Sequence, residues 1–252
     1  AQPSWNQITT GGAGNIIING RAEHAAALGG SARGVWIISD GPTRNEIVTD
    51  TGNISITGAQ SGNTTYSAGI QMWNVKTATN SGAVTMAGTT NSGIAGQNYG
   101  ISLQSSFIAA GSKDVSLTGT ANGGPNGEYN VYMYGTGNGI STTTGNITID
   151  GRTANTIDPG GNHYGVTLNS GSITSGNLTT STTGGVITVS GAVAVGATTT
   201  SWYGQLISQT IDTYNNQINL TFGSSAYSSS TNQNVYGLNI SGTTSLAATA
   251  SV

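Results

Sequence analysis

The chain has 252 residues, a formal net charge of −3 and no Cys, and only 6% of its residues are charged. Six scattered basic residues exclude electrostatic binding to nucleic acid, which needs clustered Lys and Arg. Without Cys the chain has no disulfides and no thiolate metal site. No apolar run approaches the roughly 18 residues of a membrane-spanning helix, so we expect no membrane span.

The first predicted element is an N-terminal lead-in segment, residues 1–14. It starts with Ala1 and Gln2, without Met or a charged leader, as the product of a signal peptidase would. An excised fragment would start in the same way. Because the chain is rich in Gly, Ser, Thr and Asn and poor in charge, we expect export to the cell surface or the extracellular space.

A β-solenoid repeat domain is predicted from residue 15 to residue 252. Six copies of a short segment have apolar second and fourth positions followed by Gly, a period of two that indicates a strand with one buried face. A looser seventh copy is residues 218–223 (INLTFG). The six copies are residues 15–20 (NIIING), 53–58 (NISITG), 83–88 (AVTMAG), 114–119 (DVSLTG), 146–151 (NITIDG) and 186–191 (VITVSG).

Each of these segments is followed by a second one that begins with Gly or Asn, and in five copies Tyr stands just before it. A weaker third segment carries isolated apolar residues: Ile108, Ile140, Ile173, Ile211 and Leu246. The second segments are residues 34–37 (GVWI), 69–72 (GIQM), 100–103 (GISL), 130–133 (NVYM), 165–168 (GVTL), 204–207 (GQLI) and 237–240 (GLNI).

Copies that recur every 30 to 40 residues with loops of variable length indicate a solenoid with one coil per copy. We therefore predict an all-β fold, a single-stranded right-handed parallel β-helix (β-solenoid) of about seven coils with three short strands per coil. An antiparallel sandwich or barrel is the alternative, but it would not require the copies to resemble one another.

Stacked coils would place the apolar positions of the first segments in two continuous files, which suffice for a narrow core. The Asn at the strand start, as in Asn15, Asn53 and Asn146, would pair side-chain amides between coils. The Gly after the strand would occupy a bend with unusual φ and ψ.

The pattern Xaa-apolar-Thr/Ser-apolar-Xaa-Gly followed by Tyr-Gly-apolar resembles the repeats of filamentous-haemagglutinin-like adhesins and autotransporter passengers of bacteria. The clearest matches are residues 52–58 (GNISITG) and 145–151 (GNITIDG), and the resemblance covers most of residues 15–242. It implies an exported surface protein that acts in adhesion, biofilm formation or contact with other cells. An Asn-Pro-Asn-Gly-type secretion motif is missing at the start, a departure from the family.

We find no catalytic or metal-binding motif, so we expect no catalytic residues, no cofactor and no metal. One group of charged residues, Asp150, Arg152, Asp158 and His163, could form the acid/base site of a polysaccharide-degrading enzyme, which needs two carboxylates about 5–10 Å apart. A second group, Asp40, Arg44, Glu46 and Asp50, could form a metal site. We interpret both as solvated loop charges, with a surface pair between Asp150 and Arg152.

Aromatic residues supply the candidate contact sites. If the coils stack in register, five tyrosines line one edge, either as a platform for surface glycans or a subunit, or as a ladder covering the turn. Two tryptophans beside the second segments would add exposed contact points. The candidate residues are Tyr99, Tyr129, Tyr164, Tyr203, Tyr236, Trp36 and Trp73.

The predicted function is that of a non-catalytic structural or adhesive module of a surface fibre, filament or adhesin stalk. Its partners would be copies of itself, stacked head to tail through open ends, or the rest of a longer solenoid. A glycan-binding module that uses the Tyr ladder is the alternative, and a polysaccharide-degrading enzyme is a weaker one.

Overall fold

The computed structural model describes residues 6–24, 30–62, 64–92, 96–122, 127–153, 161–177, 179–193, 199–223 and 234–249, with 20 strands. The strands in chain order are β1 (Gln7–Thr10), β2 (Ile16–His24), β3 (Ser31–Ile38), β4 (Asn45–Thr49), β5 (Ile54–Gly62), β6 (Tyr66–Trp73), β7 (Val75–Thr79), β8 (Val84–Asn91), β9 (Gln97–Gln104), β10 (Phe107–Ala110), β11 (Val115–Asn122), β12 (Glu128–Tyr134), β13 (Gly139–Thr142), β14 (Ile147–Arg152), β15 (Gly161–Ser175), β16 (Ile187–Ala192), β17 (Thr199–Tyr214), β18 (Ile218–Gly223), β19 (Asn234–Ser241) and β20 (Ser245–Thr249).

These strands form seven stacked coils, and every ladder between them is parallel, which confirms the predicted β-solenoid. The first strands of the coils form a 7-stranded sheet in the order β18-β16-β14-β11-β8-β5-β2. The second and third strands belong to one 13-stranded sheet, because β15 and β17 each run through both positions. Three strand segments per coil are therefore confirmed.

The core consists of aliphatic files that run along the solenoid, one residue per coil. In the first strands the two predicted files are in register, with Ile54 opposite Val84 and Ile56 opposite Met86. Side chains inside these files are at most 1% exposed from Ile54 through Val189. A few inward residues per strand therefore suffice, since each is covered by the coils above and below it.

The Gly of the first strands serves close packing rather than a bend in the first five coils, so the predicted reason was wrong. Gly58, Gly88 and Gly119 are in register inside the strands, and none has a positive φ. A Cβ on Gly88 would overlap the carbonyl oxygen of Gly100 in the facing second strand, and one on Gly100 would overlap the backbone around Gly119 and Thr120. Two glycine columns thus bring two sheets into backbone contact.

Polar residues also bond from coil to coil, but not as predicted. The side-chain oxygen of Asn15 accepts from the backbone N–H of Asn53 at 2.8 Å, and that of Asn53 accepts from Ala83 at 2.8 Å. Asp114 and Asn146 repeat the arrangement further along. These side chains therefore extend the backbone ladder beyond the strand, and the expected amide-to-amide pairing is wrong.

The seventh coil departs from the sequence repeat. Phe222, rather than Gly223, is in register with Gly191, and Gly204 takes the place of Val166 in the neighbouring sheet. A Cβ on Gly204 would overlap the Phe222 ring. Here the first strand carries the large residue, Phe222, and the facing second strand carries the small one, Gly204. The aromatic ring therefore fills the space that a Val side chain occupies in the fifth coil.

Part of the lead-in segment joins the solenoid: β1 pairs with β4, placing Ile8 beside Ile47. Ile8 and Leu246 are the two ends of a third-strand file whose inner members include the predicted Ile108, Ile140, Ile173 and Ile211. Within the described residues, no helix is long and apolar enough to cross a membrane.

Candidate binding surface on the aromatic outer face

The outer face of the second strands carries most of the aromatic side chains. In β12 the side chains of Val131 and Met133 are buried in the core at 0% and 1% exposure, so alternation turns Tyr132 and Tyr134 outward. The Tyr129 ring lies 4.8 Å from that of Tyr132 and therefore lies on the same outer face.

A break in the alternation at Asn130 places Tyr129 outside. Asn130 is fully buried, accepts a hydrogen bond from the Ala121 N–H at 2.6 Å and donates one to Thr153 Oγ1 at 3.0 Å. In the adjacent coils this position is Gly100 or Gly165, and the ladder partners lie on either side of it. The strand is bent here, and the residue before the bend points outward.

The predicted tyrosine ladder is present over three coils. Tyr99, Tyr129 and Tyr164 are in register, and their ring centroids are 5.1 Å and 4.5 Å apart with interplanar angles of 14° and 6°. Tyr99 is 5% exposed, and the other two are half-buried. The rings stack face to face, so inside the ladder each ring covers the face of the next rather than presenting it to solvent.

In the sixth coil Trp202, rather than the predicted Tyr203, is in register with Tyr164. Trp202 pairs with Tyr164 on one side and with Tyr236 on the other, so Tyr203 is not a member of the column. The side chains of residues 202, 203 and 236 lie outside the described part. The predicted inclusion of Tyr203 was wrong because the second segment of that coil is aligned one residue earlier than its sequence suggests.

Three tyrosines that the sequence did not single out extend the ladder into a wider cluster: Tyr66, Tyr132 and Tyr134. The Tyr66 ring lies 5.2 Å from Tyr99, and the Tyr132 ring lies 4.5 Å from Tyr134. Tyr134 donates its hydroxyl to Gln104 Oε1 at 2.6 Å. Alternation beyond the buried Val131 was the signal that could have found the last two.

Burial raises the pKa of every tyrosine in this cluster. For Tyr99, Tyr129, Tyr132 and Tyr134 the charge that a neighbouring tyrosinate would carry adds to the effect. The pKa of Tyr134 rises to about 12, and those of Tyr99 and Tyr129 rise further. Neutral rings are thus favoured in the folded state far above physiological pH.

We expect alkaline pH to destabilise the solenoid between pH 10.0, where a free tyrosine ionises, and about 12. In that window the unfolded chain loses phenolic protons that the folded chain retains, so the free energy of unfolding falls as the pH rises. Denaturant unfolding at several pH values, with tyrosinate absorbance followed in parallel, measures this. Tyr99→Phe should reduce the dependence of the unfolding free energy on pH. The prediction is contradicted if all ten tyrosines titrate near pH 10.0 while the chain remains folded.

Two exposed tryptophans lie beside this cluster. Trp36 is 56% exposed and Trp73 is 42% exposed. Gln71 is the register partner of Trp36 and lies two residues before Trp73 on the same strand. The guanidinium carbon of Arg33 lies 4.4 Å from the centroid of the Trp36 ring and 4.9 Å from that of Tyr66. An aromatic patch with one cation therefore occupies the first two coils.

The first candidate acidic group does not assemble. Arg152 Nε lies 2.8 Å from Asp150 Oδ1, the predicted surface pair, and Ser190 donates to the same oxygen at 2.6 Å. His163 is buried elsewhere and bonds Glu128. Asp158 lies outside the described residues.

The second group is dispersed as well. Lys76 Nζ lies 3.1 Å from Glu46, Asp50 accepts from the Asn80 amide at 2.8 Å, and Arg44 donates to the Gly137 carbonyl at 2.8 Å. The contacts of Lys76 and Asp50 join neighbouring coils, whereas that of Arg44 reaches from the first coil to the fourth. The charged groups therefore do not face a common point. In the described ranges, no group of three or more His, Cys, Asp or Glu side chains could hold a metal ion.

A buried hydrogen-bonded pair of Glu128 and His163 was not indicated by any sequence pattern. Both side chains are 2% exposed, and His163 Nδ1 lies 2.8 Å from Glu128 Oε2. The two residues are register partners in adjacent coils, next to the buried Asn98. They occupy inward positions just before the bend, where the core turns polar.

Comparison of the chain with protein-family models, curated proteins and solved structures finds no match.

Proposed function

We propose that the chain is a non-catalytic structural or adhesive module of an extracellular surface fibre or stalk, and that copies of it stack end to end. The repeat pattern resembles that of filamentous-haemagglutinin-like adhesins and autotransporter passengers, which supports export and a surface role. Of the carboxylates weighed for catalysis or metal binding, Glu46, Asp50 and Asp150 contact Lys76, Asn80 and Arg152 rather than one another.

The uncovered apolar face of the seventh coil carries the proposal. Leu238, Ile240 and Leu246 are 38%, 48% and 42% exposed. The register partners of the last two in the sixth coil, Leu206 and Ile211, are by contrast fully buried. Ile218 and Leu220 extend the same face and are only partly buried. Within the described residues, the seventh coil therefore exposes a cross-section of the core beside strand edges suited to parallel pairing.

The proposed occupant is the opposite end of a second copy, because it would continue both sheets in the register already used between coils. In the first coil, Ile18 and Ile37 are only partly buried and would supply the complementary apolar face. A contact between unlike ends does not close on itself and therefore propagates into a filament.

Strand β1 would have to leave its place before two copies could stack in this way. It precedes β4 in the third-strand file, and β20 ends the same file. When β2 and β3 of an incoming copy lie on β18 and β19, its β1 would need the place of β20. Stacking therefore requires β1 to detach, which suits a strand of 4 residues whose Ile8 is 47% exposed.

Sedimentation velocity and electron microscopy at increasing protein concentration test the proposal. We expect rods that lengthen with concentration for the parent chain, and single solenoids for the double substitution Ile240→Lys and Leu246→Lys, which places charges on the open face. Thr85→Lys is the control, because Thr85 is exposed on the outer surface of β8 in the third coil, away from both ends of the solenoid.

Two results would contradict end-to-end stacking. One is single solenoids of the parent chain at every concentration, and the other is filaments that the double substitution leaves unchanged. A circular dichroism spectrum with parallel β character, measured for each variant, ensures that a loss of assembly is not a loss of fold.

A further inference from the structure

We propose that the patch formed by Arg33, Trp36, Tyr66, Gln71 and Trp73 binds a carboxylate-bearing sugar residue, such as a uronic or a sialic acid, on the side of the solenoid. This activity goes beyond the structural role and does not depend on the open ends. The ion pair would come from Arg33, and the ring contact from Trp73.

Arg33 is the cation of the patch, and no carboxylate of the described residues lies within ion-pair distance of it. By contrast Arg21, Lys76 and Arg152 are each paired with an acidic side chain. Arg33 Nε bonds Gln71 Oε1, and the guanidinium lies over the rings of Trp36 and Tyr66. These contacts fix the planar group and leave its terminal nitrogens to donate to a carboxylate.

The second part of the site is the exposed indole of Trp73. Trp73 lies on the strand next to that of Trp36, about 4.8 Å away, and two residues, about 6.6 Å, further along the strand direction. The backbone positions of the two tryptophans are therefore about 8 Å apart. A pyranose ring has an apolar C–H face that packs on an aromatic ring, as well as hydroxyls that need polar partners. Gln71 donates to the Tyr66 hydroxyl at 2.8 Å and places such a polar group between the tryptophans.

Other ligand classes fit the patch less well. Nucleic acid needs several clustered cations, and the patch has one. A peptide that added a strand would have to pair with the edge of β3, because β6, which carries Trp73, is already paired with β3 and with β9. Such a strand would extend the sheet beyond β3 and leave the ring of Trp73 unused. Recognition must therefore come from side chains alone: one ion pair, ring stacking and amide hydrogen bonds.

Isothermal titration calorimetry of the full chain with two acidic probes, tri-galacturonate and sialyllactose, tests the site. Their neutral counterparts are the methyl ester of tri-galacturonate and lactose. We expect one acidic probe to bind about tenfold more tightly than its counterpart. Arg33→Gln should remove this preference, and Trp73→Ala should weaken the acidic and the neutral probe alike by a similar factor.

The matched control is Arg21→Gln, which removes an exposed cation from the other sheet and should leave binding within twofold of the parent chain. Added salt should weaken binding of the acidic probe only. The site is refuted if neither acidic probe binds at millimolar concentration, if acid and neutral counterpart bind equally, or if Arg33→Gln retains the preference. Which acidic probe binds distinguishes a uronate from a sialate site.

Discussion

Replacing Gly88 by Ala should lower the free energy of unfolding by about 4 kcal/mol or more, or prevent folding. A Cβ at this position would overlap the carbonyl oxygen of Gly100 and the side chain of Ile101. The carbonyl belongs to a strand that pairs on both sides, so it cannot move away without disrupting two ladders. Denaturant unfolding followed by circular dichroism measures the loss.

The matched control for this substitution is Gly223→Ala at the end of β18. A Cβ there has no atom within 4 Å, and the backbone φ is not positive. The same loss of glycine flexibility should therefore be neutral or slightly stabilising, since it restricts the unfolded chain. Equal stability of the two Ala variants would show that the glycine columns do not hold the sheets together.

Breaking the buried pair of Glu128 and His163 should have the second largest effect. We expect Glu128→Leu or His163→Leu alone to cost about 3–5 kcal/mol, because each replaces a hydrogen bond to a buried titratable group by an apolar contact. The double substitution should cost clearly less than the sum of the two, since neither group is then left behind. A double-mutant cycle of unfolding free energies gives the coupling.

Arg21→Gln and Glu23→Gln provide the comparison cycle. That pair is 74% and 62% exposed, so its coupling should be at most about 1 kcal/mol. If the buried pair couples no more strongly than this surface pair, the polar core before the bend is not a determinant of stability.

The strands, their parallel stacking and the core files could be predicted because each coil repeats the same local pattern. Ile54 and Ile56, for example, alternate with polar residues, and alternation reports a buried face without knowledge of the partner strand. The tyrosine ladder from Tyr99 to Tyr164 followed for the same reason, since equal positions in similar copies stack. The fold and part of the candidate surface are thus local properties of the sequence.

His163 shows where this reasoning fails. Its neighbours along the chain, Asp150 and Arg152, suggested a shared site, but its partner is Glu128, 35 residues earlier. In a solenoid the residues that touch along the axis are one coil apart, and loops of different length separate them. Proximity along the chain therefore says little about which charged groups meet.

The amino-acid sequence by itself determined that this chain forms short alternating strands, stacks them in parallel and builds a thin aliphatic core under a coat of hydroxyls and amides. Only the tertiary structure decided that Trp202 rather than Tyr203 joins the column, that glycines serve backbone contact, and that Arg33 lies between two rings. The reason is physical: these features depend on the register between coils, which the combined packing of neighbouring strands fixes and no single repeat contains.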